Sequence, residues 1–325
     1  MNRRQWLLGA TALLGARRLH AQAPRLRRVA IAHPGTPTPP VLPLITVRKR
    51  LEELGWVEGR TIEYVVGYGH DDVKRWEPMI AELLAKKPDL LFVVFGRMAL
   101  LALKHTKEVP IVFAIASNPE KEGLVSSLAR PGGNVTGVST REQELLGKRI
   151  ELMREITPGI RRIAMLANPD FPQSSKTHLD NYSAHARRFG IEVKAYDARS
   201  VEEFRPAFDQ MQSDHMQGLL NIADSFQFRE RRDLVANAAR LRLTAIYNAN
   251  QYVEAGGLAS FGTNVSDQYR RAAEYVDKIL RGAKPADLPV QEPTNFQLAV
   301  NLKAAREQDI KIPRSILVRA DQVIE

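Results

Sequence analysis

The sequence of 325 residues contains no cysteine. Disulfide bonds, thiolate catalysis, cysteine-ligated metals and a lipid anchor on an N-terminal cysteine are therefore excluded. Motifs of nucleotide-dependent enzymes are also missing, because neither G-x-x-x-x-G-K-[ST] nor a G-x-G-x-x-G after the first predicted strand occurs. The serine-hydrolase motif G-x-S-x-G is absent as well. These absences argue against an enzyme of the P-loop, Rossmann or serine-hydrolase classes.

Histidine is scarce, with seven residues in the chain. His178 and His185 share a predicted helix, but their spacing of seven differs from the i, i+4 spacing of helical zinc ligands. We therefore predict no metal and no other cofactor. His33 and His70 lie near predicted strand ends, where each could act as an acid–base group, a hydrogen-bonding group for a ligand, or a plain surface residue.

Long apolar runs are missing too, since the run at 6–14 is about half of the roughly 20 residues that span a bilayer. With Arg3 and Arg4 before it and small residues near Ala21, segment 1–21 has the pattern of an export signal, by the Sec or the twin-arginine route. Its removal takes away four arginines and no acid, which lowers the formal charge from +10 to +6. The remaining charges of both signs mix along the helices, which favours a solvated surface over nucleic-acid binding.

The rest of the chain alternates between strand and helix patterns. Apolar segments predict strands at 29–32, 62–68, 89–96 and 110–117, and again at 163–167, 191–196, 218–224, 244–247 and 257–262. Amphipathic segments between them predict helices, which is typical of parallel sheets with right-handed crossovers. A stretch rich in proline and glycine, ARPGGNVTGVST at 129–140, separates the two runs. The sequence therefore predicts an α/β protein with two doubly wound parallel-sheet lobes.

Ligands of open parallel sheets bind outside the carboxyl ends of the strands. The residues at these predicted ends are mostly polar, small or aromatic, as a site for a small polar ligand requires. Any one of them could instead only cap a helix or form a turn. The candidate ligand-binding residues are His33, Gly35, Thr36, Tyr68, Gly96, Arg97, Ser117, Asn118, Asn168, Ser174, Ser175, Asp224, Ser225, Asn248 and Phe261.

Several long segments resemble those of ABC-transporter substrate-binding proteins that include tryptophan-type binders. They are GLVSSLARPGGNVTGVS, GLASFGTN, AAEYVDKILRGAKPADLPVQEPTNFQLAVNLKAA and IPRSILVRADQVIE, and the resemblance extends from about residue 28 to the C-terminus. It implies a type I periplasmic binding protein fold, in which two lobes joined by three crossings enclose the ligand. Lobe one is then expected at 25–136 plus 264–288 and lobe two at 140–262 plus 294–325, with hinges near 133–139, 262–264 and 288–293.

Two positions depart from what is usual in similar proteins. Asn118-Pro119 replaces Asp-Pro, and Arg97 replaces a small residue, so lobe one loses an acid and gains a base. Arg97 also precedes a predicted helix, whose N-terminus favours carboxylates. These departures predict a ligand with a carboxylate, such as an amino acid or an aromatic acid, with Phe226, Tyr247 or Phe261 as stacking candidates. Arg97 could alternatively point to solvent or pair with a neighbouring acid.

The resemblance implies a monomeric periplasmic protein that captures a small molecule and delivers it to a membrane permease with a separate ATPase. No catalysis is expected. A sensory protein that presents its ligand to a membrane receptor is the alternative. A transcription regulator with this fold would need an N-terminal helix-turn-helix, whereas residues 1–28 have the pattern of an export signal.

Overall fold

The computed structural model describes residues 26–37, 42–170 and 172–325. The predicted export signal lies outside these residues. Within them the chain forms two α/β lobes, each built on one largely or wholly parallel sheet. Each sheet is covered by helices on both faces, as the alternating sequence pattern predicts.

Lobe one contains a parallel sheet with the order β2-β1-β3-β4-β5. Its strands are β1 (Arg27–His33), β2 (Ile62–Tyr68), β3 (Leu90–Phe95), β4 (Ile111–Ala116) and β5 (Val135–Ser139). The helices packed on it are α1 (Leu42–Glu53), α2 (Val73–Ala85), α3 (Gly96–His105) and, from later in the chain, α10 (Val265–Leu280).

Alternation along β1 shows how this lobe is packed. Val29 and Ile31 pack into the cluster formed with α1 and α10, whereas Ala30 and Ala32 face the cluster formed with α2 and α3. Successive strand residues point to opposite faces, so one apolar strand contributes to both cores. The polar residue His33 then ends the strand at the edge that faces lobe two.

Lobe two contains the sheet β12-β11-β10-β9-β8-β6-β7. Its strands are β6 (Arg162–Ala167), β7 (Glu192–Asp197), β8 (Gly218–Asn221), β9 (Thr244–Tyr247), β10 (Ala259–Gly262), β11 (Gln297–Asn301) and β12 (Gln322–Ile324). Its helices are α4 (Glu142–Ile156), α5 (Pro172–Arg187), α6 (Val201–Ser213), α7 (Ser225–Arg229), α8 (Arg231–Arg240), α9 (Asn250–Glu254), α11 (Leu302–Glu307) and α12 (Arg314–Arg319).

Three features of the described chain differ from the sequence prediction. The segment between the strands predicted at 218–224 and 244–247 forms two helices rather than one, because Glu230 separates α7 from α8. The short helix α9 was not predicted, because five residues are too few for an amphipathic pattern to appear. Strand β11 pairs antiparallel with β10, so lobe two has a mixed sheet at one side, and the C-terminal segment supplies two strands to it.

Most of the predicted hinge at 133–139 forms strand β5. Residues Val135–Ser139 are buried and pair with β4. A Cβ at Gly137 would lie 2.1 Å from the carbonyl oxygen of Phe113, so this glycine permits close contact between two strands. The chain leaves lobe one after Ser139, where Arg141 adopts a left-handed backbone with φ 50°.

The chain passes between the sheets at two further places. One passage lies between β10 and α10, at Thr263 and Asn264. The other follows Gln291, whose N–H donates to the carbonyl of Gly137 at 3.0 Å and whose carbonyl accepts from Ser139 at 2.8 Å. The start of the predicted hinge at 288–293 is thus hydrogen-bonded along β5 of lobe one.

Across the described ranges, none of the helices combines the length and the apolar character needed to span a bilayer.

Candidate functional site

A cleft separates the carboxyl ends of the two sheets and contains two adjoining cavities. We name them the His33 chamber, of about 500 Å³, and the Arg97 chamber, of about 650 Å³. Both are lined by residues of both lobes, and they share Phe95, Ile115, Ala223, Asp224 and Ser225. Volumes of this size suit small-molecule ligands.

Most of the predicted site residues meet in this cleft. The His33 chamber is lined by His33, Gly35, Thr36, Asp224, Ser225 and Asn248 from the predicted set. The Arg97 chamber is lined by Gly96, Arg97, Ser117, Asn118, Asp224 and Ser225. The rule that parallel sheets bind ligands at their carboxyl ends therefore brings together residues from both halves of the sequence.

His33 ends β1 and is 6% exposed. Its Nδ1 accepts a hydrogen bond from the N–H of Gly35 at 3.0 Å, so the proton of the neutral ring belongs on Nε2. Burial lowers the pKa of His33 to about 4, which keeps the imidazole neutral near pH 7. His33 can therefore offer a ligand one N–H donor from Nε2 without carrying a charge.

Asp224 lies where the two chambers meet and is 6% exposed. Its carboxylate caps α7 by accepting from Gln227 N–H at 2.8 Å, and it also accepts from Asn168 Nδ2 at 3.0 Å. Burial raises the pKa of Asp224, although these two hydrogen bonds oppose the shift. A carboxylate has about four acceptor positions, so Asp224 retains capacity for a donor from a ligand.

Five predicted residues are placed elsewhere. Asn168 and Ser175 are buried behind Asp224 and bond to each other, with Ser175 Oγ donating to the Asn168 carbonyl at 3.0 Å. Tyr68 packs edge-on against His33, with ring centroids 5.9 Å apart. Phe261 is half-buried beside Phe296 and lines neither chamber. The side chain of Ser174 lies outside the described part of the structure.

Two of the three stacking candidates are core residues rather than ligand contacts. Phe226 packs against Phe204, with ring centroids 5.2 Å apart, and Tyr247 stacks on Tyr252 at 4.8 Å. Both are at most 3% exposed, and neither lines a chamber. The strand-end rule places residues along the chain but does not tell which way a large side chain points.

Other aromatic rings surround the His33 chamber instead. They are Phe95, Phe228, Tyr252 and Tyr269. Tyr252 and Phe228 make an edge-on pair at 6.0 Å, so one wall is held in place by its own packing. Tyr252 belongs to the unpredicted helix α9, and Tyr269 follows the helical pattern of a core residue, so the sequence carried no signal for either.

Glu142 and Arg149 form a buried ion pair beneath the His33 chamber. Both nitrogens at the end of the Arg149 guanidinium reach the Glu142 carboxylate, and Arg149 Nε donates to the carbonyl of Phe261 at 2.7 Å. Burial alone would raise the pKa of Glu142, but the charge of Arg149 outweighs it and the pKa is lowered. The pair joins the start of α4 to the end of β10, next to two of the crossings. In the sequence, Glu142 is recognisable only as an acidic residue in the first turn of a helix, which does not indicate a buried ion pair.

Cations and hydrogen-bonding groups line the Arg97 chamber. Exposed Arg97 and Lys121 belong to lobe one, and the buried His178 belongs to α5 of lobe two. Glu122 also lines it, and one of its oxygens accepts from Asn118 N–H at 3.0 Å. The two cations make this chamber suitable for an anionic group. In the described ranges, no cluster of three or more His, Asp or Glu side chains could hold a metal.

Known proteins are similar to this chain in sequence or in structure. The tyrosine-binding protein of Clostridioides difficile is 24% identical over 277 residues, which cover 84% of this chain and 79% of that protein. The crystal structure of an ABC domain in complex with L-Trp from Streptococcus pneumoniae superposes with a TM-score of 0.81, at 26% identity, and covers 92% of this chain and 100% of that one. A conserved domain protein from Vibrio cholerae has the same TM-score at 24% identity and the same coverage.

These neighbours confirm the predicted type I periplasmic binding protein fold. Proteins of this group bind their ligands and do not transform them. The model of the family described as ABC transporter substrate binding protein matches residues 44–324. The chain therefore belongs to the ABC transporter substrate-binding protein family.

Proposed function

We propose that this protein captures an amino acid with an aromatic side chain between its lobes, in the periplasm, and delivers it as a monomer to a membrane ABC permease with a separate ATPase. The observation that carries the proposal is the interlobe cleft, which joins an aromatic chamber to a cationic one through a buried carboxylate. The relatives that bind tyrosine and L-Trp support the same ligand class.

Each part of such a ligand has a matching part of the cleft. The carboxylate would bind near Arg97 and Lys121, and the ammonium would bind Asp224, whose buried charge gains most from a cation. The ring would enter the His33 chamber, among Phe95, Phe228, Tyr252 and Tyr269. Residues at the crossings 139–142, 262–265 and 291–297 would then act as hinges when the lobes close.

Thermal-shift screening of the purified protein against amino acids and aromatic acids identifies the ligand class, because a ligand that binds only the folded state raises Tm. Calorimetric titration with L-tyrosine, tyramine and 3-(4-hydroxyphenyl)propionate then separates the two charges. The first analogue lacks the carboxylate and the second lacks the amine. We expect both analogues to bind more weakly than the amino acid.

The Arg97→Ala variant tests the carboxylate subsite. Loss of a charge-assisted hydrogen bond should weaken amino-acid binding by about tenfold to a hundredfold. The same variant should leave tyramine binding unchanged, since tyramine has no carboxylate. Arg60→Ala is the matched control, because Arg60 is an exposed arginine of lobe one that lines neither chamber. Equal losses for both ligands, or no loss, would contradict the assignment of Arg97.

A further inference from the structure

One carboxylate connects the two lobes at the edge of the His33 chamber. Asp71 lies in the loop after β2 of lobe one, and Ser225 and Arg229 lie on α7 of lobe two. Ser225 Oγ donates to Asp71 Oδ1 at 3.3 Å, and Arg229 Nη1 forms an ion pair with Asp71 Oδ2. Residues four apart share a helix face, so Asp71 engages both ends of this short helix at once.

The loop that carries Asp71 is fixed to a loop that lines the ligand chamber. His70 and Asp71 both adopt left-handed backbone, with φ 53° and 58°. The N–H groups of His70 and Asp71 donate to the carbonyls of Gly35 and Pro34 at 3.0 and 2.8 Å. Movement of Asp71 relative to lobe two would therefore also move the segment around His33.

Arg229, the partner of Asp71 in lobe two, is also held in place by its neighbours. Arg229 Nε donates to Glu230 Oε1 at 2.6 Å, and its guanidinium lies 5.8 Å from the centre of the Phe226 ring. The same helix α7 begins at its cap Asp224, which lines both chambers. The interlobe contact and the candidate ligand site therefore share two segments, the one around His33 and the start of α7.

Opening of the cleft would break this contact. The side chain of Asp71 is 13% exposed and that of Arg229 is 34% exposed, and separation of the lobes would return both charges to water. We propose that Asp71, Ser225 and Arg229 form a closure latch, which sets the fraction of molecules with closed lobes and so sets ligand affinity. Apparent affinity falls in proportion to the binding-competent fraction, even where a residue does not contact the ligand. This inference rests on the proposed capture of a ligand by lobe closure.

The absence of cysteine allows the latch to be tested without ligand. Arg75→Cys and Lys176→Cys place spin labels at exposed positions next to Trp76 and Thr177, which line the Arg97 chamber from opposite lobes. Electron–electron distance measurements then report how far the lobes are apart. In this labelled background, Asp71→Asn should shift the ligand-free distances towards longer values, and 1 M salt should do the same to the parent.

Binding supplies the second readout. In the unlabelled protein, Asp71→Asn and Arg229→Gln should each weaken the affinity for the ligand found by screening by about three- to tenfold. The double variant should lose little more affinity than either single variant, because both substitutions remove the same contact. Asp209→Asn is the control, since Asp209 pairs with Arg205 and Arg240 within lobe two. It should change neither the distances nor the affinity.

Two results would overturn the latch. One is an unchanged ligand-free distance distribution in Asp71→Asn. The other is additive loss of affinity in the two variants without any change in distance, which would show that both residues bind the ligand directly. The distance measurement needs no ligand, so it remains informative even if screening contradicts the proposed ligand class.

Discussion

Single residues set the chemistry of the cleft through their burial. Burial lowers the pKa of His33, so its ring is neutral near pH 7 and can donate from Nε2, and burial raises the pKa of Asp224 although Asn168 Nδ2 and the Gln227 N–H donate to it. The sequence places both residues correctly at strand ends. It could not show that Asn168 and Ser175 form a layer behind Asp224, because that depends on side-chain direction rather than on position along the strand.

The lowered pKa of His33 predicts a specific loss of stability in acid. The unfolded chain binds a proton near pH 6.5 while the folded protein binds it only near pH 4, so folding is disfavoured as pH falls through this window. Between pH 7.5 and 4.5 this group should remove about 2 to 3 kcal/mol from the free energy of unfolding. Well above pH 6.5 the ring is neutral in both the folded and the unfolded state, so His33 no longer lowers the free energy of unfolding.

Urea denaturation of the parent and of His33→Asn at pH 7.5 and 4.5 measures this contribution. Asparagine keeps an acceptor for the Gly35 N–H but does not titrate. The variant should therefore lose less stability than the parent over the same pH interval. An identical loss in both proteins would show that His33 does not titrate abnormally.

At the scale of elements, hydrophobic periodicity predicts long helices and central strands well, and it fails where elements are short or glycine-rich. Strand β5 has a central glycine and only five residues, so its sequence is equally typical of a loop. Helices α7 and α9 have five residues each, which is too short for a helical period. Lining residues on these elements, such as Phe228 and Tyr252, were consequently missed.

Two glycines of one stretch provide a matched test of β5. Gly137→Ala would place a Cβ against the backbone of Phe113, which cannot move without separating β4 from β5, and should cost about 1 to 3 kcal/mol or more. Gly133→Ala meets nothing within 4 Å and should change stability by less than about 1 kcal/mol. Chemical denaturation measures both. Equal effects would indicate a flexible crossing, as the sequence first suggested, rather than a close-packed strand.

At the scale of the whole molecule, polar contacts surround the crossings. Thr136 Oγ1 donates to the carbonyl of Leu288 at 2.8 Å on lobe one, while Arg149 connects Glu142 to the end of β10 on lobe two. Such contacts fix each end of a crossing to its own lobe, and if the lobes close as we propose, bending would concentrate in the few residues between them. The two lobes and their family could be recognised from sequence, because the strand–helix pattern repeats and the long C-terminal segments resemble those of the family.

Small-angle X-ray scattering with and without saturating ligand tests the central claim most directly. If the lobes close around an amino acid held in the His33 and Arg97 chambers, the radius of gyration should decrease when the ligand is added. The Gly133→Ala variant should show the same decrease in radius of gyration, because a Cβ at this position meets nothing within 4 Å. A ligand that binds tightly while the scattering curve stays unchanged would contradict capture by lobe closure.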